Sequence, residues 1–171
     1  MSNQLEIERK FLVRGDEWKK TANAKKIAQG YICNDKKHSS VVRVRQKGEK
    51  CFLTIKADQG GITRLEFEYE IPTKDCAMML EQLCGDVIEK TRYTLETEGN
   101  VWEIDEFHGA SDGLVMAEIE LESADQPFTK PSWAGPEVSH DTRFFNSYIS
   151  EHPFTTWGVT QDELIKEFET S

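Results

Sequence analysis

The sequence lacks most of the features that mark a site at a glance. No two of its four cysteines (Cys33, Cys51, Cys76 and Cys84) are spaced CxxC. Cys76 and Cys84 fall in an apolar helical pattern, so free buried thiols are expected rather than a metal site or disulfides. His38, His108, His140 and His152 are scattered, with no pair at metal-ligand spacing, which argues against a zinc centre or a histidine base. There is no glycine-rich phosphate loop; Gly60-Gly61 reads as a hairpin turn. No apolar run reaches membrane-spanning length and no signal-peptide pattern occurs, so a cytoplasmic protein without a membrane partner is expected. A basic excess is absent too. The net charge is -10, from 21 Lys and Arg against 31 Asp and Glu, which speaks against a nucleic-acid partner.

What the chain does have is alternation. Its 171 residues suit one domain able to bury a core without staples, with C-terminal helices from about residue 141. Period-two patterns predict eight strands, at 4–13, 26–33, 39–46, 50–56, 62–71, 87–96, 101–107 and 114–122. Lys47-Gly48-Glu49, Gln59-Gly60-Gly61 and Glu98-Gly99-Asn100 read as hairpin turns. Helices are expected at 16–24, 73–83, 141–150 and 160–169, the last opened by a capping box of Thr160 and Glu163. The expected fold is α+β but mainly β: an eight-stranded antiparallel meander closed into a barrel, with flanking helices.

The charges sit on one face of each strand. Glu6, Glu8 and Lys10 alternate with Leu5, Ile7 and Phe11, so on a strand they share a side, the two carboxylates about 7 Å apart. Later strands repeat the pattern with Arg43 and Arg45; Lys56; Arg64, Glu66 and Glu68; Lys90 and Arg92; Glu103 and Asp105; and Glu118 and Glu120. An ordinary wet sheet face would mix neutral polar residues and alternate sign to limit repulsion. Here same-sign doublets recur, which favours a charged lumen with the apolar face outside, covered by the helices. Eight acidic and seven basic side chains would leave that lumen nearly neutral. Arginines fork onto phosphate oxygens and carboxylates suit hard cations, so a polyphosphate bound with divalent metal uses both sets at almost no net charge.

These motifs together, Glu6-Ile-Glu-Arg-Lys10, Arg43-Val-Arg45, Lys56, Arg64-Leu-Glu66-Phe-Glu68, Glu89-Lys-Thr-Arg-Tyr93, Glu103-Ile-Asp105 and Glu118-Ile-Glu120, resemble the triphosphate tunnel metalloenzymes, or CYTH superfamily. The tail from Glu137 to Asn146 resembles the family's ending as well. ExExK alone is moderately specific; the ordered set is highly so, and it covers the chain from Glu6 to about Asn146. The compact length, the EIERKFLV start and Gln29-Gly30-Tyr31 are most similar to the short bacterial inorganic tripolyphosphatases.

The resemblance implies a closed tunnel that hydrolyses a small-molecule triphosphate with two Mg2+ or Mn2+ ions. Glu6, Glu8, Glu118 and Glu120 would hold the metals. Lys10, Arg43, Arg45, Lys56, Arg64, Lys90 and Arg92 would grip phosphates, and Lys10 or Lys56 would steady charge on the leaving group. Glu66, Glu68, Glu103 and Asp105 would either bind metal or, the favoured role, orient the basic residues, while Tyr31 and Arg143 are auxiliary: a core tyrosine or a contact of Lys90, and a rim or surface arginine. Trp18, Trp102, Trp133 and Trp157 read as packing residues. A class IV-type adenylyl cyclase, a thiamine triphosphatase and a non-catalytic polyphosphate-binding module are the competing readings, and a homodimer is left open. The four metal carboxylates favour an enzyme, since a pure binder could dispense with them.

Overall fold

The structure, a computed structural model, describes residues 4–171. Nine antiparallel strands run β1 (Leu5–Val13), β2 (Asn23–Asp35), β3 (Ser40–Lys47), β4 (Lys50–Asp58), β5 (Thr63–Ile71), β6 (Ile88–Thr97), β7 (Asn100–Phe107), β8 (Val115–Glu120) and β9 (Ala134–Glu137). Three α-helices are α1 (Thr73–Gln82), α2 (Asn146–Glu151) and α3 (Gln161–Glu169). The sheet order is β5-β4-β3-β2-β6-β7-β8-β1-β9, and β1 also pairs with β5. That last pairing closes an eight-stranded barrel, as the alternation predicts.

The closure is short. Only Leu5, Glu6 and Ile7 of β1 register with β5, opposite Leu65, Arg64 and Thr63. Further along, β9 takes the same edge of β1, with Phe11 opposite Glu137 and Val13 opposite Ala134. Alternation misses β9 because AGPE carries no period; Pro136 lacks the N–H that a central strand would need, so it suits a short edge segment. The expected helix at 16–24 shrinks to a single 3-10 turn, Glu17–Lys20. Asn23 and Ala24 instead begin β2, where they pair with Thr94 and Tyr93. Likewise 141–150 divides into a 3-10 turn at Thr142–Phe144 and then α2. Asp141 accepts a bond from the Arg143 backbone N–H and so caps that turn. The capping box at Thr160 and Glu163 forms as predicted.

Apolar residues pack in three places. Outside the barrel, Phe11, Trp102, Ile104, Ile119 and Leu121 lie beneath Trp18, Phe128 and Trp133. The cover there comes from loops and a turn, not from the helices expected to supply it. α1 covers Val44 and Cys51 with Cys76, Met79 and Leu80. Gly30 permits that approach, since a Cβ there would lie 2.7 Å from Cys84 Cβ. The outer face of β4 and β5 is left partly bare, with Tyr69 56% exposed. The third cluster fills one end of the barrel: Leu12, Ile88, Phe107, Leu114 and Met116 meet Phe144, Ile149, Phe154 and Leu164. The inward face of four strands thus turns from charged to apolar at one end. Glu8 and Lys10 lead to Leu12, Arg92 and Lys90 to Ile88, Asp105 to Phe107, and Glu118 to Met116 and Leu114. The C-terminal segments close that end as a plug.

Candidate active site: a charged tunnel

Between mouth and plug lies a cavity of about 460 Å3. Among the sequence-predicted residues, Glu6, Glu8, Lys10, Tyr31, Arg43, Arg45, Lys56, Arg64, Glu66, Glu68, Arg92, Glu103, Glu118 and Glu120 line it. The same face of successive strands therefore converges on one space. Three others stand apart. Lys90 and Asp105, each 1% exposed, lie one layer below, between cavity and plug. Arg143 pairs with Asp141 at 2.7 Å outside the cavity. The Tyr31 ring packs against the apolar plug. All four tryptophans are taken up by packing.

Strand register decides which charges meet. Lys10 stands opposite Glu118 on β8, and Lys56 opposite Glu66 on β5. Lys10 Nζ lies 2.7 Å from Glu118 and 2.8 Å from Glu8. Lys56 donates to both oxygens of Glu6, at 2.7 and 2.6 Å, and lies 2.9 Å from Glu66. Arg92 forks onto Asp105 at 2.7 and 2.8 Å and also reaches Glu103 and Glu118. Burial opposes charge on Lys10, but Glu118 and Glu8 outweigh it and hold the ammonium above its usual range. Burial likewise works against ionisation of Asp105 and Glu118. Arg92 and Lys90 overcome it at Asp105, and Lys10 and Arg92 at Glu118, so both stay well below the usual carboxylate range. Lys90 goes the other way. Burial, with Arg92 and Arg45 nearby, pulls it down to about 7 against the pull of Asp105.

Among the described residues, other charges in the cavity have no ionic partner so close. Glu120 faces Glu8 in register. Burial and the carboxylates of Glu6, Glu66 and Glu8 raise its pKa, and among the described residues it makes no ion pair. Among the described residues Arg45 meets only the side-chain oxygen of Gln29, at 3.1 Å. Burial and the like charges of Arg43 and Arg92 lower it to about 10, so it remains a cation at neutral pH. The Arg64 guanidinium lies over the Phe145 ring, 5.9 Å from its centroid. Arg43 touches Thr54 at 3.3 Å and lies 3.6 Å from Glu68, and its buried Nε has no partner among the described residues. One side of the space therefore presents free guanidinium groups and another presents crowded carboxylates. Among the described residues no three acidic, histidine or cysteine side chains already converge as a ligand cluster. The donor set is all oxygen, which suits a hard cation.

Several lining residues escaped the sequence reading. Lys47 and Glu122 line the cavity and are the next inward positions after Arg45 and Glu120, so parity alone could have found them. Phe145, Asn146 and Ser147 also line it, but they come from the C-terminal segment, where strand parity has nothing to say. A second chamber of about 370 Å3 adjoins the first and shares Glu8, Lys10 and Arg64 with it. It lies beside the β1 edge that passes from β5 to β9.

Comparison with known proteins agrees with this geometry. The CYTH domain model matches residues 4–145. A curated protein of Acetivibrio thermocellus named inorganic triphosphatase is 49% identical over 150 residues, 87% of this chain and 95% of that one. A Nitrosomonas europaea protein of the same name is 36% identical over 152 residues, 85% and 96% of the two chains. A crystal structure of an inorganic triphosphatase superposes with TM-score 0.61 at 34% identity, covering 88% of this chain and 95% of that one. A Bacillus halodurans structure, 16% identical with TM-score 0.59 over 99% of this chain and 93% of that one, shares the fold alone. With the tunnel, its charged lining and these relatives in agreement, the chain belongs to the CYTH domain family.

Proposed function

We propose that this chain hydrolyses inorganic tripolyphosphate to diphosphate and phosphate, with Mg2+ or Mn2+, inside the tunnel. The observation that carries the reading is the pair of sets left unmatched among the described residues: Arg45 and Arg64 without carboxylate partners, and Glu120 crowded by carboxylates without a cationic partner. A polyphosphate with its divalent cation satisfies both. The names of the two curated relatives point the same way.

Glu6, Glu8, Glu118 and Glu120 would hold the metal. Glu120 is the best fitted, because a cation there removes the repulsion that now favours its proton. The bound ions would neutralise phosphate charge and lower the pKa of the attacking water. The remaining work falls to this chain's own side chains. Arg43, Arg45 and Arg64 hold the phosphates in line, beside an Arg92 already fixed by its own carboxylates. Lys10 and Lys56 stabilise charge on the diphosphate oxygen as the anhydride bond breaks; neighbouring carboxylates aim both and keep Lys10 protonated. Water adds to the terminal phosphorus, the P–O anhydride bond breaks, and orthophosphate and diphosphate leave.

Phosphate release from tripolyphosphate, ATP and thiamine triphosphate, each with Mg2+ or Mn2+, tests the reading. Tripolyphosphate should give the highest kcat/KM. Cyclic AMP formed from ATP faster than phosphate from tripolyphosphate would overturn it in favour of a cyclase.

A further inference from the structure

Asn146 opens α2 and lines the cavity, yet its side chain is anchored in the layer beneath. Its orientation follows from which of its neighbours can only donate. The guanidinium of Arg45 has donors and no acceptor, so the Gln29 atom 3.1 Å from Arg45 Nε is the side-chain oxygen. That leaves Gln29 Nε2 as a donor, and it reaches Asn146 Oδ1 at 3.2 Å. Lys90 Nζ donates to the same oxygen at 2.9 Å. Gln29 is wholly buried and Lys90 is 1% exposed, so the relay is shielded from water. With Oδ1 committed twice, Asn146 Nδ2 has no partner among the described residues and belongs to a side chain that borders the cavity.

We propose that Asn146 Nδ2 is a substrate-binding donor to a phosphate oxygen, held in orientation from below by Gln29 and Lys90. The inference rests on the triphosphatase reading and refines it. It also gives Lys90 a task that suits its place below the cavity. Lys90 acts on substrate through Asn146, as a positioning residue. Gln29 has a double task, since one amide orients both Arg45 and Asn146, and these two groups then present adjacent donors to the same anion. A neutral donor beside the arginines adds direction without further charge, and a hydrogen bond to a charged oxygen is among the stronger kinds.

The test is calorimetric titration of inorganic tripolyphosphate, with EDTA present, into the wild-type chain, Asn146→Ala and Asn146→Asp, with thermal unfolding of each. Asn146→Ala should bind at least about tenfold more weakly. Asn146→Asp should bind more weakly still while unfolding close to the wild-type temperature, because Gln29 and Lys90 keep an acceptor while the phosphate loses its donor. A folded Asn146→Ala variant that binds as tightly as wild type would overturn the inference. A wild-type chain that neither binds nor hydrolyses tripolyphosphate would instead overturn the functional reading, and this inference with it.

Discussion

In the cavity wall, Arg92 is gripped by Asp105, Glu103 and Glu118, and just beneath it Lys90 is held by Asp105. Elsewhere in the same lining, among the described residues, Arg45 meets a single amide oxygen and Arg64 the face of a ring. The residue types are the same and the surroundings opposite. Charges that are matched within the protein fix the shape of the tunnel. Charges left unmatched at its surface are available to a ligand. The difference follows from register: β6 places Arg92 opposite Asp105 on β7, whereas β3 places Arg45 opposite Gln29 on β2.

The comparison can be broken most directly from below. Asp105→Ala would leave Lys90 and Arg92 buried without their shared carboxylate, and removing one partner of a buried pair costs about 3–5 kcal/mol. Urea unfolding should show a loss of that size; a loss under about 1 kcal/mol would mean the buried pairs do not hold the shape. In the cavity the effects should exchange. Arg45→Ala should reduce kcat/KM for tripolyphosphate at least about 100-fold and change stability by less than about 1 kcal/mol. Glu120→Gln should also abolish turnover, with stability unchanged or raised.

The pH dependence of Glu120 has a definite sign. Its folded pKa is raised, so the folded state binds that proton more tightly than the unfolded chain does. Its contribution to stability therefore grows as pH falls through the raised folded value toward the ordinary carboxylate value. Glu120→Gln should remove that rise from the pH–stability curve; an unaltered curve would show that the crowding at Glu120 is not felt. The smallest effect expected is at Lys56. Lys56→Met should raise Mn2+ affinity about three- to tenfold, read by electron paramagnetic resonance, because Glu6 loses a competing cation and Glu66 beside it adds uncompensated negative charge. Unchanged or weaker binding would place these carboxylates outside the metal site.

Much of this was legible in the residues. Period-two alternation located all eight barrel strands, and the same parity brought Glu6, Arg43, Lys56 and Glu118 to one interior. What it could not supply was depth. Lys90 and Arg92 share a face, yet only the packing of Phe107, Met116 and the C-terminal segments shows that Lys90 lies below the cavity while Arg92 lines it. Asn146 and Phe145 stayed hidden for a related reason: they enter from a short helix and a turn, elements whose placement depends on long-range contacts. β9 has no alternation to read, and Trp18 reached its place from a 3-10 turn that propensity rendered as a longer helix.

The two lysine pairings have a thermodynamic consequence. Lys10 rests on Glu8 and Glu118, and Lys56 on Glu6 and Glu66. A cation binding to those carboxylates must displace the lysines, and an anion binding the lysines must draw them from the carboxylates. Each ligand therefore does part of the other's work, and the two bindings are linked with positive sign. By reciprocity, whatever factor the anion adds to the cation's affinity, the cation adds to the anion's. A tunnel that binds metal and polyphosphate as proposed would in this sense act as a coincidence detector. Either ion alone would leave one member of each broken pair unmatched, and the two arriving together would match both.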